Sequence, residues 1–388
     1  MQRLSTGNVL LFLNLDSIHA FVHTSFPVFT PKRASGLFVK PSRLPDNVDG
    51  VLYVNDQCIN CAACSQFAPQ SFARSEPFHV VYRQPQSALE IQQARQALLA
   101  CPVAAIRVET KGERQKRRND SEWKETDQEL VDQLSGKDED GLAFPRPFLD
   151  DIPDVYWVGH HNSASFGAIP YLFQTPDHEW IMVDTPKYGS AAVQGVTSLT
   201  GPQGPNYLVL THVDDTADHR KWADHFAPHL QRIFHSGDLG QHNWLGDTTL
   251  EDVEILLENS PSLDELTVFS LNGTRRHEVD WATLTEPVIL HTPGHSPGSI
   301  SLFHNAGADC KILFSGDTYA FSTRTNTMTG FPRYGHDRKL QAKMLEKLIA
   351  VNFTVVAPGH GHPRDYRGMD PQRRYEELLP ALKELRNG

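Results

Sequence analysis

Cys58, Cys61 and Cys64 stand at C-x2-C-x2-C, and Cys101-Pro102 follows much later in the chain. Three thiols crowded onto one short loop, with a fourth arriving from a remote segment, leave few ways to fold. They suit a [4Fe–4S] cluster, in which each iron takes one sulfur and four sulfurs converge from two stretches of chain. A zinc site with four cysteine ligands is the alternative, but zinc motifs usually pair one C-x2-C with another. Chains that hold two clusters continue the first run with x3-C-P. Here the matching dipeptide is Ala68-Pro69, with the proline kept and the thiol absent, so one cluster is expected. The chain has five cysteines in 388 residues, too few and too odd a number for a disulfide scaffold.

The flanks of the cysteines read as short strands at Val51–Val54 and Phe78–Tyr82. Ser87 and Glu90 form a capping box that opens a helix running to Ala100 and delivers Cys101 back to the loop. Residues 46–108 resemble single-cluster, bacterial-type ferredoxins. Before them, residues 1–45 hold a short apolar run, Val9–Leu13, and then an acid-free stretch from Phe21 to Arg43 rich in hydroxyl and basic residues. That composition fits a targeting segment, with a plastid as destination, or a disordered N-terminus and a cytoplasmic protein. Residues 109–150 are charged and broken by Gly and Pro, which predicts a solvated linker with a short helix near Glu125–Leu134.

From residue 151 to 370 the pattern changes. Runs rich in β-branched and aromatic residues predict strands at Ile169–Gln174, Trp180–Asp184, Tyr207–Thr211, Pro287–Leu290, Ser299–Phe303, Ile312–Phe314 and Thr354–Ala357. Helical patterns fall near Ala217–His225, Leu250–Leu257 and Arg338–Val351. Four of the strands stop at a His or Asp: His212-Val213-Asp214-Asp215-Thr216-Ala217-Asp218-His219, His291-Thr292-Pro293-Gly294-His295, Gly316-Asp317 and Gly359-His360. Loops at strand ends bring distant residues together, and imidazole with carboxylate is a ligand set for zinc or non-haem iron.

These motifs, in this order, resemble the metallo-β-lactamase superfamily. "HTPGHSPGS" is nearly complete, and "WIMVDTP" resembles the family's early strand with its structural aspartate, here Asp184. The resemblance implies an α+β chain: a ferredoxin-like domain, then a four-layer αββα sandwich holding one or two metal ions (zinc or iron) at one edge, then a helical tail at 371–388. It implies His212, His295 and Asp214 at one ion, Asp218, His219 and His360 at the other, and Asp317 between them, with Asp218 also assigned a catalytic role. The first motif departs from the family. Asp214 replaces the usual second histidine, and two extra residues precede Asp218-His219. Asp214 and Asp215 both stay open as ligands, and a carboxylate there resembles the flavodiiron proteins. Of the remaining histidines, His235 is a possible ligand, His291 and His362 belong outside the ligand shell, and His160 and His161 are expected at the surface. Cys310 reads as a buried inert thiol.

The ferredoxin-plus-lactamase pairing resembles a fusion family of photosynthetic organisms. It implies first a hydrolase acting on an ester, thioester, lactone or phosphoester through metal-activated water, with a redox-active cluster. An oxidoreductase whose cluster feeds a diiron site is the second reading, and a non-catalytic electron-transfer or binding protein the third. A small-molecule substrate and an electron-transfer protein are the expected partners. The formal charge of −11 argues against nucleic acid, and no apolar run is long enough for membrane insertion.

Overall fold

The four cysteines are carried on short elements. Strand β1 (Leu52–Val54) precedes their loop, which leads into helix α1 (Ala63–Phe67). A hairpin of β2 (Phe72–Ser75) and β3 (Phe78–Val81) follows, then α2 (Ala88–Ala100) and β4 (Ile106–Val108). The capping box forms as expected, with Glu90 N–H donating to Ser87 Oγ at 3.3 Å and Ser87 N–H to the Glu90 carboxylate. Ala94, Ala97 and Ala100 are fully buried, so α2 packs closely and ends at Cys101. β4 returns antiparallel to β1. This computed structural model describes residues 40–117, 123–136, 142–258, 263–307 and 309–387. The expected targeting segment, up to residue 39, lies outside them.

The expected linker is largely built into the fold. Helices α3 (Lys111–Arg117) and α4 (Glu125–Leu134) occupy it, with residues 118–122 and 137–141 outside the described set. The basic stretch finds acids: Arg114 pairs with Asp127 at 2.9 Å, and Arg117 with Glu109 at 2.7 Å. Val131 and Leu134 of α4 are buried.

Two seven-stranded sheets form the rest. The first holds β5 (Arg146–Leu149), β6 (Ile152–Trp157), β7 (Tyr171–Gln174), β8 (Trp180–Val183), β9 (Tyr207–Val209), β10 (Gln231–His235) and β11 (Ile255–Leu257), in that spatial order. β5 to β8 pair antiparallel, and β8 to β11 pair parallel. β5 lies in the expected linker, so the sandwich begins earlier than residue 151. The Leu250–Leu257 stretch is not an α-helix: it leaves a 3-10 turn at Thr248–Asp252 and Ile255–Leu257 pairs with β10, because a short apolar run suits a buried strand as well as a helix.

The second sheet is formed by β12 (Thr267–Ser270), β13 (Arg275–Arg276), β14 (Val288–His291), β15 (Ile300–Asn305) and β16 (Lys311–Gly316). A separate hairpin, β17 (Ala320–Ser322) with β18 (Thr327–Thr329), interrupts before β19 (Val355–Pro358) and β20 (Arg364–Asp365) complete it in the order β13-β12-β14-β15-β16-β19-β20.

Side chains alternate across each strand. Phe173, Ile181, Val183 and Val209 join Ile289, Leu302, Phe314 and Val355 in the core between the sheets. Leu172, Met182 and Leu208 face outward onto α5 (Ser190–Thr200) and α6 (His219–His225). Val288, Leu290, Leu313 and Val356 face α7 (Arg338–Leu348) and α8 (Pro371–Asn387). Burial on both faces explains why these strands read as continuous apolar runs. The layer order is therefore α, β, β, α. The expected helical tail is part of it, since Leu378, Ala381, Leu382 and Leu385 of α8 are buried. No helix of the described residues is long and apolar enough to cross a membrane.

The cysteine-bearing segment docks on the sandwich through Phe67. Its ring packs edge-on against Phe144 at 5.2 Å and Trp157 at 5.5 Å, beneath the Arg146 guanidinium at 5.3 Å. Gln96 joins the same seam, donating to Ala143 O and accepting from Arg146. Phe67→Ala should lower stability by about 3–5 kcal/mol in denaturant unfolding, because it empties a fully buried aromatic site. A loss below about 1 kcal/mol would show that this seam does not hold the segment in place.

Candidate functional site

The structure brings Cys58, Cys61, Cys64 and Cys101 around one small cavity, closed by apolar neighbours such as Val54, Ile106 and Ala63. Asn60 and Ala62 adopt left-handed backbone angles, which curl the loop around its centre. Asn60 N–H approaches Cys58 Sγ at 3.4 Å and Ala105 N–H approaches Cys101 Sγ at 3.2 Å. Burial and the neighbouring thiols push Cys61 up to about 12, and Cys64 well above the usual thiol range. Four thiolates this close and this dry need a cationic centre between them, which is what an iron–sulfur cluster provides.

The second site lies where β9, β14, β16 and β19 end. His212 Nε2 stands 3.7 Å from Asp214 Oδ2 and 3.9 Å from Asp317 Oδ2. His295 Nε2 is 3.8 Å and 3.6 Å from the same two oxygens. Asp215 Oδ2 lies 3.7 Å from His212 Nδ1 and 3.8 Å from His360 Nδ1, and His360 Nδ1 meets Asp317 Oδ1 at 2.9 Å. Donors bound to one ion at about 2.1 Å lie within roughly 4.2 Å of each other, so these spacings suit metal ions. His212, Asp214 and His295 form one such group, and His212, Asp215 and Asp317 another.

The donor atoms themselves fit a metal. Asp215 is wholly buried, and neither of its carboxylate oxygens has a hydrogen-bond partner. His212 Nε2 and His360 Nε2 are likewise buried without one. Leaving such groups unsatisfied is costly unless a cation meets them. A Cβ on Gly359 would sit 3.0 Å from Asp215 Oδ2 and 3.2 Å from Asp317 Oδ1, so glycine keeps the space between the carboxylates open. Burial opposes charge on His360, but Asp317 and Asp215 outweigh it and raise the imidazole to about 10. Burial carries His212 down to about 4 against the pull of Asp317.

Two buried aspartates position the ligand loops. Asp184 accepts from Thr211 N–H at 2.8 Å and Thr211 Oγ1 at 3.0 Å, fixing the residue before His212. Asp238, which the sequence reading passed over, accepts from Val213 N–H, Ser296 Oγ and Gly298 N–H at 2.6–2.9 Å. It ties the loop of His212 to the loop of His295. A signal existed: "FHSGD" at the end of β10 parallels "FSGD" at the end of β16.

Asp218 and His219 lie elsewhere. Asp218 caps α6 in a left-handed conformation and accepts from Asn162 Nδ2, Tyr188 N–H and Lys221. His219 bonds to Arg232, Asp247 and Thr249. Asp215 stands beside Asp317 and His360, where the resemblance placed that pair. His235 stacks on His291 at 3.8 Å, and its Nδ1 accepts from Gly237 N–H, so it packs behind the pocket. His362 bridges to Phe321 through its backbone, outside both donor groups. His161, expected at the surface, is 2% exposed, because the loop after β6 folds inward against Phe67. Cys310 is buried, its thiol pushed up to about 11 by burial. Trp244, in the Leu239–Thr248 loop expected to shape the pocket, donates its indole N–H to Asp214 Oδ1 at 2.6 Å, a contact no motif announces.

Residues 54–108 match the family model of the 4Fe-4S single cluster domain of Ferredoxin I. No curated protein matches the chain. Among solved structures, it is similar to a metallo-beta-lactamase family protein from Thermus thermophilus, at 18% identity over 59% of this chain and 79% of that one, with a TM-score of 0.38. An archaeal metallo-beta-lactamase superfamily protein from Sulfolobus tokodaii shows 18% identity over 63% and 100%, with a TM-score of 0.35. A metal-soaked flavodiiron core from Synechocystis shows 17% identity over 61% and 60%, with a TM-score of 0.36. The chain thus joins a [4Fe–4S] ferredoxin segment to a sandwich with the layer order expected of the lactamase superfamily.

The two placements of the second carboxylate make different predictions for metal content. Asp215→Ala should lose pocket metal, measured by elemental analysis, whereas Asp218→Ala should keep it. The reverse result would return the ligand role to Asp218.

Proposed function

We propose that the chain is an oxidoreductase in which the [4Fe–4S] cluster exchanges electrons with redox-active ions held by His212, Asp214, Asp215, His295, Asp317 and His360. One observation carries this reading: a single loop touches both sites. A Cβ on Gly167 would lie 3.8 Å from Cys61 Cβ and 3.1 Å from Pro102 Cγ, so this backbone rests on the cluster loop. Two residues later Ile169 N–H donates to Gly359 O at 2.8 Å, and His360 is the next residue. His161 is buried in the same loop. A hydrolase needs no such junction.

The donor set supports the same reading. Three imidazoles and three carboxylates are a harder set than the nitrogen- and sulfur-rich sites zinc prefers, and they favour iron or manganese. When bound, the cluster supplies single electrons and the pocket ions a place to deliver them to a small-molecule substrate. The protein's own contribution is to keep the pocket dry and the donors fixed, with His212, Asp215 and His295 nearly or fully buried. An external one-electron carrier protein would meet the cluster loop at Ile59, which is exposed beside Cys58.

The hydrolytic reading assigns the same pocket to water activation and leaves the cluster a sensor or a brace. Metal identity separates the two. Anaerobically purified protein should contain pocket iron or manganese in addition to cluster iron. Dithionite should develop a [4Fe–4S] EPR signal that Cys61→Ala abolishes and His295→Ala retains. Zinc as the sole pocket metal would end the oxidoreductase reading, because zinc has no redox chemistry.

A further inference from the structure

The first motif departs from its family in two places, Asp214 for histidine and a displaced His219, and one loop connects the two departures. Arg232, a permanent cation, is almost fully buried, and its carboxylate partner is Glu254, with Nε–Oε2 at 3.0 Å and Nη2–Oε1 at 2.8 Å. Its Nη1 approaches His219 Nδ1 at 3.2 Å. A guanidinium only donates, so Nδ1 accepts and the ring proton sits on Nε2. That N–H faces Thr249 Oγ1 at 3.0 Å and Asp247 Oδ2 at 3.3 Å. Both nitrogens of His219 are therefore occupied, and a fixed positive charge stands beside it. Neither condition suits a metal ligand.

The residues His219 engages are the base of a loop. Asp247 accepts from Thr249 N–H and Oγ1 at 2.9 and 2.6 Å, and Asn243 Nδ2 donates to Asp247 O at 2.8 Å. Trp244 follows Asn243. Its indole N–H reaches back to Asp214 Oδ1 at 2.6 Å, while Asp214 Oδ2 faces His212 and His295 at 3.7 and 3.8 Å. A carboxylate is shorter than the imidazole it replaces and rotates freely unless one oxygen is held. Outer-shell hydrogen bonds of this kind orient a ligand and tune its affinity.

We propose that Trp244 is a positioning residue that holds Asp214 as a metal ligand, and that His219 anchors the loop carrying Trp244 instead of ligating. The inference rests on the reading that this pocket binds metal, and not on the reaction it performs. The test uses the full, cluster-loaded chain, stripped of pocket metal by a mild chelator and titrated with Mn2+, read by Mn2+ EPR and by indole fluorescence.

Wild type should bind Mn2+ with quenching of one tryptophan signal. Trp244→Phe, which keeps an aromatic ring and loses the N–H donor, should bind one ion about 10–100-fold more weakly and lose that quenching component. His219→Ala should weaken the same ion, and the double variant should be no worse than the poorer single, since both act through one loop. His219→Gln, whose amide can accept from Arg232 and donate to Asp247, should restore binding. Wild-type affinity in Trp244→Phe overturns the inference, as does loss of an ion in His219→Gln or additive losses in the double variant. A wild-type protein that takes up no divalent ion overturns the metal reading itself, and this inference with it.

Discussion

Buried negative charge at the strand ends is the constraint on which the rest of the site depends. Asp184, Asp215, Asp238 and Asp317 all lie in the interior, where like charges interact strongly and desolvation is costly. Two of them are satisfied by the protein. Asp184 and Asp238 accept backbone N–H groups from the ligand loops, and in doing so fix those loops in place. Of the other two, Asp215 has no hydrogen-bond partner and Asp317 meets His360 Nδ1 at 2.9 Å, and both border a space that Gly359 keeps clear. The fold thus uses one pair of carboxylates as clamps and leaves the other pair beside the imidazoles of His212, His295 and His360.

The cluster segment is joined to this arrangement by packing rather than by a tether. α1 carries Cys64 and also Phe67, so the helix that presents a thiol to the cavity inserts an aromatic ring among Phe144 and Trp157. The loop after β6 lies against Cys61 on one side and hydrogen-bonds to the His360 loop on the other. Motion of the cysteine loop would be felt at the His360 loop through few residues.

Much of this was legible in the sequence. Four cysteines at that spacing, a capping box before the last, and four strands each ending in His or Asp specify two sites with local information alone. The misplaced pair shows where local information ends. Spacing cannot tell what two inserted residues do. Here they carry Asp218 onto the start of α6, and Asn162 and Tyr188, far away in the chain, hold it there. His219 is captured by Arg232, whose own position is fixed by Glu254 on the approach to β11, a partnership no motif announces. The stretch around β11 misled for a related reason: a few apolar residues fit either period until a neighbouring strand decides between them.

The position of β5 has a consequence for how such a protein can arise or be dismantled. The edge strand of the sandwich is contributed by chain that precedes residue 151, so a cut at that residue would fall inside a sheet. A recombination event at the apparent border would strip that strand, unpair the backbone of β6, and uncover the Phe148–Trp157 contact at 4.8 Å. Bare edges of this kind recruit other chains. A sandwich begun at that residue would be a sticky product, so one made separately from the cysteine-bearing segment must start before β5.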